Sequence, residues 1–183
     1  MTSYSLGLFF HFLGLIAMFA GYGLEWIVSG LLRSASSTDQ ARAWLRVYRT
    51  SLPISGPGLL VLILSGGYLA AISGGMKQGW ILASLLAIGV ALIVGFGVLL
   101  PIVKGIRKSI PEGSGPLPAN AIKLLQAPAF PTLVRMRAML AIGIVYLMTA
   151  KPDTFASSLL ALAIAIAAGL LASVPVFAKT RAA

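Results

Sequence analysis

The chain has 183 residues, 58% of them hydrophobic and 10% charged, where a typical soluble domain carries about 25% charged residues. That excludes a water-soluble fold and leaves no length for a sizeable soluble domain beside the apolar segments. The lack of cysteine excludes disulfides, thiolate iron-sulfur clusters, covalent c-type haem attachment and cysteine nucleophiles. The net charge of +10 reads as basic residues gathered beside anionic lipid and not as nucleic-acid binding.

A hydrocarbon core needs about 20 apolar residues per spanning helix, so the expectation is an all-α transmembrane bundle of five spans forming one domain over residues 1–183. The start of the chain has no basic n-region and no small-residue cleavage site, so its first apolar run is read as a retained span. That run covers about Tyr4 to Leu32, with Tyr4 and Trp26 placed as interfacial anchors. Gly7, Gly14 and Gly21 form a seven-residue stripe that lets another helix approach closely. From Ser34 to Thr50 the composition turns polar and predicts a short interfacial helix. The second span, about Leu52 to Ser73, starts through Pro53 and Pro57, which predicts irregular first turns.

The third span runs from Trp80 to about Val103, with Ala83, Ala87, Ala91 and Gly95 four apart and an end weakened by Pro101 and Gly105. A proline-rich connection, Lys104 to Thr132, carries the amphipathic stretch Ala119 to Gln126 and reads as a loop with one short surface helix. The fourth span, about Leu133 to Ala150, has Arg135 and Arg137 in its first turns. The fifth, about Phe155 to Phe177, repeats small residues at Ala161, Ala165, Gly169 and Ser173.

With the N-terminus outside, Arg33, Arg42, Arg46, Arg49, Lys104, Arg107, Lys108, Lys123, Arg135, Arg137, Lys179 and Arg181 fall on the cytoplasmic side. Only Lys77 and Lys151 remain outside, and the positive-inside rule selects this orientation, with a cytoplasmic C-terminus. No internal repeat supports an inverted-repeat transporter.

His11, the single histidine, lies about 10 Å deep in the first span at 1.5 Å per residue. Its i−4 and i+3 neighbours Gly7 and Gly14 put it on the close-packed side. Two readings stand: an axial metal ligand to a b-type haem, for which the glycines leave room, or an imidazole hydrogen-bonded to a neighbouring helix. A second axial ligand has to come from another span, from residues such as Tyr68, Met139 or Met148. A copper site of His11 and methionines is a further alternative. Lys77 and Lys151, on the same side, are either haem-propionate partners or solvated loop residues. Glu25, about 12 Å short of Arg33 along the helix, is either a snorkelling carboxylate or a structural ion pair with Arg135 or Arg137. No nucleophile-base pair, phosphate loop or carboxylate dyad occurs in the spans.

The stretch FHFLGLIAMFAGYG from Phe10 to Gly23, the pair Gly79 and Trp80, and RMRAMLAIGIVYLMTAKPD from Arg135 to Asp153 resemble small bacterial families known only as predicted integral membrane proteins of unknown function. More distantly they resemble the HemJ-type protoporphyrinogen oxidases and the CopD-type copper-resistance membrane domain. The HemJ resemblance implies a haem-linked histidine, which maps onto His11, and a lysine early in the third span. Ile81, Leu82, Ala83 and Ser84 stand there instead. The expectation is thus a bacterial inner-membrane protein with a haem-linked redox role. The alternatives are an accessory subunit docked on a larger membrane complex or homo-oligomer, and a small-solute or metal-ion transport component.

Overall fold

A computed structural model describes residues 2–181, with side chains described as far as Phe177. The side chains of Lys179 and Arg181, counted above on the cytoplasmic side, lie outside the described residues. The described chain is all helical, and five helices are long and apolar enough to cross a membrane: Ser3–Arg33, Thr38–Ile72, Gly79–Ser109, Ala119–Ala150 and Phe155–Phe177.

Helix α1 (Ser3–Arg33) starts on Thr2, whose hydroxyl accepts from the Ser5 amide. Its buried face runs Gly7, Gly14, Met18, Gly21, Tyr22, Glu25, Val28, Ser29 and Leu32, the spacing of one helical stripe. Helix α2 (Thr38–Ile72) packs antiparallel against that stripe. A Cβ added at Gly14 would lie 2.7 Å from the Gly58 carbonyl oxygen, and one at Gly21 would lie 2.5 Å from Ser55 Cβ. The two backbones therefore meet where only hydrogen fits.

The polar stretch before the second span is not a separate interfacial helix. Helix α2 passes unbroken through Pro53 and Pro57 to Ile72. Both prolines are exposed, while Ser51, Ser55, Gly58 and Leu62 are buried against α1. The rings thus point away from the contact that holds α2 in place, and a bilayer-embedded helix tolerates them.

Helix α3 (Gly79–Leu92), a π-helical segment (Ile93–Leu99) and α4 (Leu100–Ser109) form one rod. The third span is therefore longer than expected, and Pro101 widens it instead of ending it. Without an N–H, Pro101 cannot bond the Gly97 carbonyl, and the Leu100 amide just before it reaches back to the Gly95 carbonyl, five residues away.

Helix α5 (Ala119–Gln126) is the short helix expected of the amphipathic stretch, its buried Ala121 and Leu125 turned to the bundle. Helix α6 (Ala129–Ala150) begins a turn earlier than expected, because Pro131 falls in a first turn where the amide has no intrahelical partner. It ends on Lys151, left-handed at φ 45°, whose amide bonds the Leu147 carbonyl. The apolar fifth segment divides into α7 (Phe155–Leu171) and α8 (Val174–Arg181). Pro175 has no amide for the Leu171 carbonyl, and the helix breaks just before it.

Helix α6 is the hub of the bundle. It touches α1 through Ala141 beside Met18 and Tyr22. It touches α3 through Leu140, Ile144 and Leu147 beside Ala83, Ala87 and Ala91. Gly143 and Gly169 bring α7 to it: a Cβ on Gly169 would lie 2.7 Å from Met136 Cα.

Candidate membrane-embedded polar site

The buried stripe of α1 carries Glu25 inward, and the α1-facing side of α6 carries Arg137 toward it. Arg137 Nη2 donates to Glu25 Oε2, and the two side chains are 10% and 5% exposed. The guanidinium also lies over the Tyr22 ring, 4.4 Å from its centroid. From α2, the Ser51 hydroxyl donates to the Tyr48 carbonyl at 2.7 Å and stands 3.2 Å from Glu25 Oε1. Three helices thus converge on one carboxylate.

The π segment closes the fourth side. A Cβ on Gly95 would lie 2.5 Å from Arg137 Nη1, so this glycine gives the guanidinium its place. Beside the pair is a cavity of about 70 Å³. Tyr22, Tyr48, Ser51 and Ser55 are the hydroxyl-bearing residues of its lining, and Leu52, Leu59, Leu92, Phe96 and Leu100 its large apolar ones. Leu52 and Phe96 are exposed on the outside of the bundle. The cavity therefore opens sideways, toward lipid, between α2 and the π segment.

Arg135, the other candidate for the ion pair, lies over Trp26, 5.6 Å from the ring centroid. A turn and more away, Arg33 donates to the Gln126 and Val176 carbonyls. Arg42 pairs with Asp39 at 2.7 Å and donates to the Pro111 and Gly113 carbonyls. These contacts gather the basic ends of α1, α2 and α6 with the loop after α4.

His11 meets α2: its Nδ1 lies 3.2 Å from Ser65 Oγ, and its ring covers Gly66. The faces of Gly7 and Gly14 themselves are taken by α2. Tyr68 and Leu69 fill the space at Gly7, and the α2 backbone fills that at Gly14. A shallow open groove of about 390 Å³ lies next to His11, lined by Leu6, Gly7, Phe10, Val61, Ser65 and Tyr68, and among the described residues no three His, Cys, Asp or Glu side chains gather as a metal site. Lys151 lies over Trp80, its Nζ 5.9 Å from the ring centroid, and Lys77 is exposed on the turn after α2. Neither is brought to His11 by a hydrogen bond or an ion pair.

Sequence reasoning missed Tyr22, Tyr48, Ser51 and Gly95. Tyr22, three residues before Glu25 on the same stripe, was legible in principle from helical spacing. Ser51 comes from another helix, and no spacing along the chain points to it; the four-residue stripe of the third span includes Gly95 but marks close packing and not a place beside the pair.

No curated protein and no solved structure matches the chain. The family model that matches covers residues 6–152, from the first turn of α1 past the end of α6, and so contains Glu25, Ser51, Gly95 and Arg137. By that match the chain belongs to the DUF2269 family of predicted integral membrane proteins.

Proposed function

We propose that this protein is a small-molecule binding or transport component of a bacterial cytoplasmic membrane, with its basic end in the cytoplasm and the Glu25–Arg137 pair as its working centre. The observation that carries this reading is a buried ion pair beside a lateral cavity, with a π segment at its wall. Charges inside a bilayer are costly to hold and mark ligand or ion pathways. π segments within helices recur at functional sites.

Two other readings rest on different features of the chain. An accessory subunit calls for small residues left facing lipid; the three stripes named above are used within the chain, Gly14 and Gly21 on α2, Ala83 and Ala87 in the core around α6 and Gly169 on α6, while Gly23 and Gly30 on α1 stay exposed. A haem-linked role rests on His11 alone, whose Nδ1 lies 3.2 Å from Ser65 Oγ.

The test is native mass spectrometry of the detergent-purified protein, followed by extraction of whatever it retains. Gly56 lines the cavity, and a Cβ added there meets nothing within 4 Å. Wild type is expected to hold a small molecule that Gly56→Trp releases while keeping its helicity and melting temperature. Identical retention by both forms overturns the proposal.

A further inference from the structure

Resting on that reading, we infer that the ligand is a neutral, single-chained amphiphile: its small head both donates and accepts hydrogen bonds at Glu25 and Arg137, and its chain runs out between α2 and the π segment into the lipid.

Charge is the first argument. Glu25 and Arg137 neutralise each other in direct contact, so an added anion meets a guanidinium already matched by a carboxylate, and an added cation a carboxylate already matched by a guanidinium. Either costs desolvation with no free counter-charge to offset it. A head without net charge meets no such penalty. The wall offers it a carboxylate and hydroxyl oxygens as acceptors, and the hydroxyls of Tyr22 and Tyr48 as donors.

Depth is the second. Glu25 lies eight residues before Arg33, the last residue of α1, which is about 12 Å along the helix axis. A head that enters from the side at that level leaves much of its water behind, and a small uncharged head loses least by doing so.

Size is the third. About 70 Å³ takes a head of a few heavy atoms and not a ring system. Beyond it, Leu52, Leu59, Leu92 and Phe96 offer an apolar wall, and Leu52 and Phe96 continue it to the lipid-facing surface. That wall suits an alkyl or isoprenoid chain.

The experiment uses the full chain in phosphatidylcholine nanodiscs with three photoreactive diazirine probes: hexadecanol, and the carboxylate and the ammonium of the same chain length. The alcohol is expected to label the segments around Leu52 to Leu59 and Leu92 to Leu100. In Gly56→Trp that labelling should fall roughly tenfold, the equivalent of about 1.4 kcal/mol in binding. Gly67→Trp is the control: it lies on the same helix, a Cβ there meets nothing within 4 Å, and labelling should be unchanged. Preferential labelling by the carboxylate or the ammonium overturns the neutral class. If no probe labels above the Gly56→Trp background while an endogenous molecule is still retained, the ligand class is wrong and the site stands. If neither is seen, the proposed function falls with it.

Discussion

At the scale of single residues, the buried pair sets the strongest expectation. Removing one partner of a buried ion pair leaves the other charge uncompensated, a loss of about 3–5 kcal/mol. Glu25→Gln should therefore lower the melting temperature sharply in detergent, because Arg137 loses its carboxylate while remaining enclosed by Tyr22 and Gly95. The double variant Glu25→Gln with Arg137→Gln should recover much of the loss, since two amides can bond each other without net charge. A double variant as unstable as the single one would show that the pair does not act as a unit. His11 carries the opposite expectation. With its Nδ1 beside Ser65 and its neighbouring glycines filled by α2, the protein purified after expression with ample haem should show no Soret band. A band lost in His11→Ala would reverse that. The inward placement of Glu25 and an arginine partner for it were legible in α1 and α6, because both lie on predicted spans. The choice of Arg137 over Arg135 was not. It depends on the rotation of α6 against α1, and a side chain two residues along a helix points elsewhere.

At the scale of elements, glycine and proline explain both what the sequence foretold and where it misled. The heptad Gly7, Gly14 and Gly21 announced a close helix contact, and α2 supplies it. Pro53, Pro57 and Pro101 were read as places where helices start badly or end. They do neither, because in a bilayer the alternative to a helix is an unsatisfied backbone. The prolines of α2 face outward, and Pro101 shifts its rod into a π register instead. Gly14→Leu should consequently separate α1 from α2, for its side chain would meet the Gly58 carbonyl and the Leu62 amide, which are backbone and cannot yield. Gly30→Leu, where a Cβ meets nothing within 4 Å, should leave the stability within about 0.5 kcal/mol of wild type. Equal loss in both would mean that α1 and α2 do not pair as described. Gly95→Ala should act more mildly, since the guanidinium tip it meets is the far end of a flexible side chain. Its effect belongs to ligand retention more than to stability.

At the scale of the whole molecule, hydropathy and charge give a direction to a bundle that is otherwise similar at its two ends. One end holds Arg33, Arg42, Arg46 and Arg49, the basic C-terminus of α4 with Lys104, Arg107 and Lys108, and Lys123 on α5. Arg33 and Arg42 bind loop and helix-end carbonyls there, so that end has both the charge and the built surface to meet anionic lipid. The other end holds Lys77 and Lys151, with Trp80 beneath Lys151 at the level of an interfacial anchor. Single cysteines in place of Lys77 and of Arg107 decide the orientation, since the native chain has none. In intact cells a membrane-impermeant maleimide should label the cysteine at 77 and spare the one at 107 until the membrane is opened. The same orientation puts Glu25 about 12 Å from the cytoplasmic end of α1 and the lateral opening in the inner half of the bilayer. The ligand would then be drawn from the inner leaflet. Labelling of the cysteine at 107 alone in intact cells would invert the molecule and move the opening to the outer leaflet. Labelling of both from one side would break the five-span path itself, because an odd number of crossings between them, the single rod from Gly79 to Ser109, requires opposite sides.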